Sequence, residues 1–262
     1  MRLPARRIAP GRAEGPALVS PSPFSFVGGA DPATGEVLDE ASGCRGERIA
    51  GRVFAFPHGK GSTVGSYVVY GLAKRGVGPA ALVNERAEGI VAVGAILAGV
   101  PMVDGVDVRG FLPGDRAIVD ADAGAIDLPD VRAVPVVSVF LRNRGRLLLV
   151  QRGDRVGSFP GRWSAVSGYL ERDEDPRDRA VQEVREETGI RDTRFRAAGR
   201  PVVARDGPTA YVVHPFLFDV PSRRLQLDWE NVTHRWIRSS EIDGFDTVPR
   251  LRDVMTSALH GQ

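Results

Sequence analysis

Three glutamates in the second half of the sequence have a spacing suited to metal binding. Glu183, Glu186 and Glu187 stand at positions i, i+3 and i+4, so a helix projects all three from one side. Like charges at this spacing repel one another and require a compensating cation. Because Mg²⁺ and Mn²⁺ prefer carboxylate and water oxygens, the spacing predicts a site for one of these ions.

The residues around the three glutamates predict the helix that carries them. Asp175 is the expected N-cap, and Pro176 suits the first helical position, where no N–H group is needed. Gly189 is expected to end the helix in a left-handed conformation after Thr188. The expected buried side consists of three apolar residues, Ala180, Val181 and Val184.

Residues 168–190 resemble the Nudix box, the signature of hydrolases that split a nucleoside diphosphate, or another diphosphate, linked to a further group. The matching residues are Gly168, Glu174, Glu183, Val184, Glu186, Glu187, Gly189 and Ile190. The resemblance implies a Nudix α/β/α sandwich that holds Mg²⁺ or Mn²⁺. The implied metal ligands are Glu174, Glu183, Glu186 and Glu187, and Glu183 is also the implied catalytic residue that helps to activate water.

One position departs from the signature. Gln182 stands where the family has an arginine that pairs with the glutamate matching Glu174. Glutamine offers only a neutral hydrogen bond, which is weaker than a charge-assisted one. We therefore expect the fold to be kept, and the degree to which the site stays active is left open.

A glycine-rich segment in the first half is the second candidate for chemistry. Gly59 and Gly61 allow the backbone to approach a ligand closely, and Ser62 places a hydroxyl where a helix is expected to begin. Free N–H groups and the helix dipole favour anions at that position. The order of residues is not that of a Walker A loop. On its own, this pattern fits either a catalytic Ser62 or an ordinary N-cap.

The pattern around this segment predicts an α/β domain. Apolar runs predict buried strands at 52–56, 80–83 and 101–103. A helix is expected to follow Ser62 as its N-cap, and a second helix to cover 90–98. The expected buried side of the first helix is Val64, Val68 and Leu72. Residues 4–43, rich in glycine, proline and serine, are expected to form loops and brief strands.

Residues 11–128 resemble the small subunit of the aconitase-X family, the swivelling β/β/α domain of archaeal phosphomevalonate dehydratase. The resemblance rests on residues 14–15, 17–20, 25–26, 28–29, 31–35, 59–62, 78–81 and 114–115. In that family the serine matching Ser62 is the proton acceptor in the dehydration of (R)-5-phosphomevalonate to trans-anhydromevalonate 5-phosphate, a step in isoprenoid synthesis. The resemblance implies a catalytic Ser62 and substrate binding by Gly59, Lys60 and Gly61.

The same resemblance implies a partner protein. The family takes the Lewis acid for its leaving hydroxyl from an iron–sulfur cluster on a separate large subunit. Such clusters are held by several cysteine thiolates, whereas this chain has Cys44 alone. We therefore expect a heterodimer with an aconitase-X type large subunit that carries the cluster.

Length and composition agree with two domains. The 262 residues are 42% hydrophobic, enough for two cores. The expected division is a swivelling domain at 1–129, a linker at 130–135 and a Nudix domain at 136–262. In the latter, Glu230 is either a further acid of the site or an ordinary loop carboxylate. Trp163 and Trp236 are either core or substrate-stacking residues, and His214 is expected to be a core histidine.

Charge and hydropathy exclude several classes of partner. The net charge of +2 gives no basic field for nucleic acid. The apolar run at 90–103 is interrupted by glycines and Pro101 and is too short to cross a membrane. The basic residues 1–7 are followed by no apolar segment, so no signal peptide is expected. With a single cysteine, we expect a cytoplasmic protein in a reducing compartment.

Three functional hypotheses remain open from the sequence. In the first, the chain is a dehydratase small subunit with a fused, working Nudix hydrolase. In the second, the Nudix hydrolase of nucleoside or prenyl diphosphates is the enzyme, and the swivelling domain recruits or regulates. In the third, the chain is a non-catalytic interaction protein whose Gln182 marks a decayed site. The Nudix box does not specify the substrate, because loops outside it do so; the fusion suggests an isoprenoid diphosphate.

Overall fold

The computed structural model describes residues 1–261, which form two compact units. The first unit comprises Met1–Arg132 together with Gly207–Ala210. The second comprises Ala133–Asp206 and residues 211–261. Among residues 1–261, no helix has both the length and the apolar character needed to cross a bilayer.

The first unit is built on one strongly curved sheet of eight strands. The strands are β1 (Arg2–Pro4), β2 (Arg6–Ala9), β3 (Arg12–Val19), β4 (Val53–Phe56), β5 (Ala81–Asn84), β6 (Met102–Asp104), β7 (Arg116–Asp120) and β8 (Ala125–Asp127). Their order is β1-β8-β7-β3-β4-β5-β6-β2. Pairing is parallel from β3 to β6 and antiparallel elsewhere. Because only Ala5 separates β1 from β2, the sheet must curve until its two edges approach each other.

Helices cover the parallel part of this sheet. After an irregular turn, α1 (Phe26–Gly29), come the two regular helices α2 (Val64–Lys74) and α3 (Gly89–Ala98), which pack on each other. The core beneath them contains a cluster of four buried phenylalanines in edge-to-face and tilted contacts, with ring centroids 4.8 to 6.3 Å apart. They are Phe24, Phe26, Phe54 and Phe56. The unit is an α/β domain of the predicted kind.

Helix α2 differs from its prediction in its start and its buried side. Its N-cap is Thr63 rather than Ser62, and Val64, predicted to be buried, is 52% exposed. The buried residues of the helix are Gly65, Ser66, Val69 and Leu72. The helix rests on small residues because α3 approaches closely: a Cβ atom on Gly94 would lie 3.0 Å from the carbonyl oxygen of Ser66. The spacing of apolar residues could not predict this contact, because the contact is made with a second helix.

The second unit has a mixed sheet and two long helices. Its strands are β9 (Arg132–Asn143), β10 (Arg146–Arg152), β11 (Trp163–Ser164), β12 (Val166–Tyr169), β13 (Arg194–Ala198), β14 (Val202–Asp206), β15 (Thr209–Asp219) and β16 (Asn231–Ile237). The sheet path is β11-β10-β9-β15-β13, with β12 on β9, β14 on β15 and β16 on β10. The helices are α4 (Pro176–Thr188) and α5 (Leu251–Leu259). Because β9 begins at Arg132, the segment 130–135 predicted as a linker overlaps this strand.

Apolar side chains of the central strands point alternately to the two faces of this sheet, and one helix packs on each face. Phe140 and Leu149 belong to the core that contains α5. Their neighbours Val139 and Leu148 belong to the core that contains α4. Since successive side chains of a strand point to opposite faces, the unit is an α/β/α sandwich, as predicted.

Candidate functional sites

Helix α4 places the acidic side chains, and its ends are fixed by local sequence. The carboxylate of Asp175 accepts hydrogen bonds from the backbone N–H groups of Arg177 at 2.8 Å and Asp178 at 3.1 Å. Gly189 ends the helix with a φ of +68°. Both signals were predicted and fix the ends of the helix, and packing of Ala180 and Val184 in the core beneath it turns Glu183 and Glu187 toward the sheet.

Glu183 is 5% exposed and lies against strand β12. Its Oε1 atom accepts a hydrogen bond from the guanidinium of Arg179, one helical turn earlier. Burial raises the pKa of Glu183 to about 6; the charge and hydrogen bond of Arg179 lower it, and Glu186 and Glu230 raise it further. The carboxylate is therefore held in a partly desolvated position by one cation on its own helix.

Glu187 is anchored more completely than the other glutamates. It is 4% exposed, and its two oxygens accept from the backbone N–H of Ser167 at 2.8 Å and from Nδ2 of Asn231 at 2.7 Å. Burial raises its pKa to about 8, although both hydrogen bonds favour the charged form. Such a group binds a proton near neutrality unless a cation takes the place of that proton.

Glu186 and Glu174, the two remaining predicted ligands, have other partners. Glu186 is exposed, and its Oε1 accepts from Nε2 of Gln182 at 2.7 Å. Oε2 of Glu174 accepts from the backbone N–H of Glu171 at 3.0 Å. Gln182 therefore holds Glu186, and the contact between position 182 and Glu174 that the signature implies is not made.

The donor chemistry of the site suits a hard divalent cation. Glu183, Glu186 and Glu187 bring carboxylate oxygens to one side of α4, and burial raises the pKa of both Glu183 and Glu187. As the side chains stand, no group of three or more acidic, histidine or cysteine residues within 1–261 has the arrangement of a metal site. Oε1 of Glu183 and Oε1 of Glu186 instead accept from Arg179 and Gln182, respectively.

A cavity of about 220 Å³ opens beside the acidic residues. Its charged lining residues are Arg152, Arg179, Glu183, Glu186 and Glu230. Burial raises the pKa of Glu230, and Asp228 and Glu186 raise it further while Arg152 lowers it. Glu230, which the sequence left as either a site acid or a loop carboxylate, therefore belongs to the lining of this cavity.

Apolar residues also line the cavity. Its lining includes Val136, Ala204, Val213, Val248, Leu251 and Val254. Two aromatic rings, Phe159 and Tyr211, also line it, with ring centroids 5.8 Å apart. Phe159 has a φ of +47°, which a bulky residue adopts only when its surroundings hold it there. Ser164, 3% exposed, lines the cavity with its Oγ unpaired among the described residues.

Neither tryptophan considered from the sequence lines the cavity. Trp163 packs edge-to-face on Phe245 with ring centroids 5.1 Å apart. Trp236 is partly buried in the core beneath α4, with the guanidinium of Arg223 5.7 Å from its ring. Both serve packing. His214 is half-buried at the edge of a separate shallow surface pocket. The prediction that it is a core histidine is therefore wrong.

The predicted serine site of the first unit lies between β4 and α2. The segment that carries it is pinned to residue Phe24, which donates from its N–H to the carbonyl of His58 at 3.1 Å and accepts from the N–H of Lys60 at 3.0 Å. Ser62 itself is exposed, and its Oγ accepts only a long bond from the N–H of Val64, at 3.4 Å. The hydroxyl thus stands in solvent at the beginning of a helix, on a fixed loop.

The two glycines of this loop are required by close packing. A Cβ atom on Gly59 would lie 2.5 Å from Cγ2 of Val91 and 3.0 Å from Oε2 of Glu88. On Gly61, which has a φ of +107°, it would lie 2.6 Å from Oγ of Ser25. The loop is therefore seated between α3 and the segment after β3, which fixes the direction of Ser62.

Lys60 interacts with an acid rather than standing free beside Ser62. Its Nζ atom lies 3.9 Å from Oδ2 of Asp39. Its side chain is about half exposed, so it can still contribute to binding an anion. In the described part of the chain the site contains no second acid–base group hydrogen-bonded to Ser62, and Cys44, the single thiol, is buried.

These features define a class of protein: two α/β units, one presenting a serine at a helix start and the other an acidic helix beside a cavity. A family model described as the aconitase X swivel domain matches residues 2–128, and one described as the NUDIX domain matches residues 131–257. The chain belongs to the aconitase X swivel-domain family through its first half, and its second half is a Nudix domain.

Parts of the chain are similar to known proteins and to solved structures. A phosphomevalonate dehydratase small subunit from Thermococcus onnurineus is 54% identical over 130 residues, covering 50% of this chain and 100% of that protein. The corresponding protein from Methanocaldococcus jannaschii is 48% identical over 49% of this chain and 98% of its own length. The crystal structure of Thermococcus kodakaraensis aconitase X is 51% identical, covering 49% of this chain and 98% of that one with a TM-score of 0.48. A MutT protein from Methanosarcina mazei is 24% identical, covering 48% and 92% with a TM-score of 0.43.

Proposed function

We propose that the first unit is the small subunit of a phosphomevalonate dehydratase and the second a metal-dependent Nudix diphosphate hydrolase. The observation that supports the first assignment most directly is the exposed Ser62 on its pinned loop, within a unit about half identical to proteins of that name. An exposed catalytic hydroxyl with no partner base suits a subunit whose active site is completed by another protein.

In the proposed dehydration, Ser62 removes a proton from carbon and the neighbouring hydroxyl leaves, so that (R)-5-phosphomevalonate gives trans-anhydromevalonate 5-phosphate and water. The free N–H groups at the beginning of α2 favour the deprotonated serine. Gly59, Lys60 and Gly61 bind the substrate, with the Lys60 ammonium and backbone N–H groups facing its negative charge. An iron–sulfur cluster on a large-subunit partner would supply the Lewis acid for the leaving hydroxyl, because this chain has one buried cysteine.

The test is reconstitution with an aconitase-X type large subunit encoded in the same genome. The two proteins should co-purify as a heterodimer, and the complex, not either part, should dehydrate (R)-5-phosphomevalonate. A genome without any such large subunit would refute the lyase assignment. Since the one thiol of the described chain forms no disulfide, we assign both activities to the cytoplasm.

In the proposed hydrolysis, the acids of α4 and the cavity beside them act together. Glu183, Glu186 and Glu187, with Glu174 in support, would hold Mg²⁺ or Mn²⁺, which supplies charge neutralisation for the diphosphate. Glu183 orients the attacking water and accepts its proton, for which a pKa of about 6 is well placed. Arg152, fixed by its Nε bond to the carbonyl of Ser158 at 2.9 Å, faces the phosphate oxygens.

The cavity lining supports a diphosphate with a compact apolar or aromatic group as the substrate. Charged and apolar residues of one unit line the same cavity. A panel of prenyl and nucleoside diphosphates, assayed for phosphate or monophosphate release with Mg²⁺, identifies the class. Preference for isopentenyl or dimethylallyl diphosphate would support an isoprenoid substrate, and preference for nucleotides would exclude it.

A second candidate is a chain in which only the Nudix unit is catalytic and the swivelling unit recruits or regulates. It is favoured by one asymmetry: the acidic site and its cavity are contained in this chain, whereas Ser62 lacks a partner group. Hydrolysis that proceeds normally in Ser62→Ala, with no dehydration in any reconstituted complex, would support it. Metal binding without turnover on any diphosphate would instead indicate a decayed Nudix site.

A further inference from the structure

On helix α4, the arginine that pairs with a glutamate of the site does not stand at the position that the signature gives to an arginine. The Nudix signature has arginine at 182, where this chain has Gln182. Gln182 donates to Glu186 and leaves Glu183 to another donor. That donor is Arg179, which stands one turn before Glu183 and pairs with it through its guanidinium.

Arg179 is placed among all the acids at this end of the helix. Its side chain is 22% exposed and lines the cavity. Burial lowers its pKa, but the charges of Glu183, Glu174 and Glu186 and the hydrogen bond to Glu183 raise it further, so that the net shift is upward. Its Nε atom is buried and has no acceptor among the described residues. The guanidinium is thus only partly used, and one of its donors remains available.

We propose that Arg179 is a positioning residue that holds the buried Glu183 in the direction needed for chemistry. From the preceding helical turn it also supplies a guanidinium charge to the acid cluster, in place of the arginine that the signature has at position 182 and pairs with the residue matching Glu174. It acts through Glu183 and not on the substrate. This inference rests on the proposed hydrolase function of the same site.

Helix geometry explains why position 179 can do this. Residues 179 and 183 are separated by four positions, so their side chains are neighbours on one face. Residues 182 and 186 are related in the same way, and Gln182 uses that relation to hold Glu186 at 2.7 Å. The two donors therefore hold two successive acids, each one turn ahead. Arg179 therefore reaches Glu183 directly from the preceding turn of the helix.

The test removes the positive charge at position 179 and then introduces one at position 182. Arg179→Gln should lower kcat by about tenfold to a hundredfold, the range expected for loss of a charge-assisted hydrogen bond, with little change in KM. Adding Gln182→Arg returns a guanidinium to the acid cluster without the contact to Glu183, so kcat in the double variant should recover only in part. The matched control is Arg185→Gln, an exposed arginine on the same helix, which should leave kcat unchanged.

Two further measurements separate positioning from a general structural role. The Kd of Mn²⁺, from calorimetry, should not weaken in Arg179→Gln, because the variant keeps every acidic ligand. The unfolding temperature of the metal-free Arg179→Gln protein should fall by a few degrees, since Glu183 is left buried without its partner, and should recover in part in the double variant. If Arg179→Gln does not fold, Arg179→Met replaces it in both variants, because methionine also removes the charge and the donors.

Parental kcat in Arg179→Gln, or a double variant as impaired as the single one, would overturn the proposal. Failure of the hydrolase assignment gives a different result: the parent protein then neither binds Mn²⁺ nor cleaves any diphosphate. In that case the unfolding temperatures still test the role of Arg179. If Arg179→Gln lowers the unfolding temperature and Gln182→Arg does not raise it again, the proposed exchange of charge between the two positions is refuted.

Discussion

The carboxylate of Glu183 lies in the space that a Cβ atom on Gly168 would occupy. A methyl group built there would overlap Oε1 and the side-chain carbons of Glu183. Strand β12 and helix α4 therefore approach so closely that residue 168 has to be glycine, for packing and not for backbone conformation. The first residue of the Nudix signature and its central acid form one contact.

This contact predicts the effect of Gly168→Ala. The added methyl group should push Glu183 away from β12, lowering kcat for diphosphate cleavage at least about tenfold and the free energy of unfolding by about 1–3 kcal/mol. Steady-state kinetics and urea unfolding measure the two effects. Gly244→Ala is the control, because a Cβ atom at Gly244 has open space. Equal behaviour of the two variants would contradict the packing argument.

The partner of Glu187 gives the second prediction. Asn231→Ala removes the donor that holds Oε2 of a carboxylate 4% exposed, so it should cost about 1–3 kcal/mol of unfolding free energy. The comparison is Gln151→Ala, which loses an exposed hydrogen bond to the carbonyl of Gly161 and should cost less. Urea denaturation followed by tryptophan fluorescence reports the difference. A smaller loss in Asn231→Ala than in Gln151→Ala would mean that Asn231 does not stabilise the buried acid.

Much of helix α4 could be predicted because its signals are local. Asp175, Pro176 and Gly189 fix its ends through contacts within four residues, and the spacing of Glu183, Glu186 and Glu187 fixes its acidic side. Arg179 was overlooked, although its i,i+4 relation to Glu183 could have been read from the sequence.

The remaining site residues depend on contacts over long separations. Asn231 meets Glu187 across 44 positions, and Glu230 joins the cavity from the same distant strand, so no spacing rule predicts either. The start of α2 shows the same limit in the first unit. Val64 satisfies the helical apolar pattern, yet the contact of α3 at Gly94 rotates the helix and leaves Val64 exposed. Tertiary contacts decide such cases.

The third prediction concerns pH and metal. The pKa of Glu187 is raised to about 8 and that of Glu183 to about 6, whereas the ordinary value is 4.5. Between pH 4.5 and 8 the folded metal-free protein therefore holds protons that the unfolded chain releases. Their contribution to stability is present at low pH and is lost as pH rises through this window, by a few kcal/mol.

The variant Glu187→Gln isolates this contribution. It should lose less stability than the parent protein between pH 5.5 and 8.5, whereas Glu171→Gln, at an exposed position, should follow the parent protein. Mg²⁺ should stabilise the parent more at pH 8 than at pH 5.5, because the metal binds the deprotonated acids. Thermal unfolding with and without EDTA measures both effects. A parent protein whose stability rises across this range would refute the assignment of Glu187 as the buried proton-binding acid.

The last prediction concerns Ser62, whose Oγ is exposed and makes one long bond of 3.4 Å. Ser62→Ala should change the unfolding free energy by less than about 0.5 kcal/mol, the usual range for a surface substitution. In the complex with the large subunit it should reduce dehydration of (R)-5-phosphomevalonate by about a hundredfold or more, the contribution of a general base. Thr63→Ala, at the neighbouring exposed hydroxyl, should keep nearly full activity because Thr63 makes no capping bond. Since the two hydroxyls differ by one position at the same helix start, a loss of activity shared equally by both variants would trace the effect to the helix terminus, and full activity in Ser62→Ala would remove Ser62 as the base.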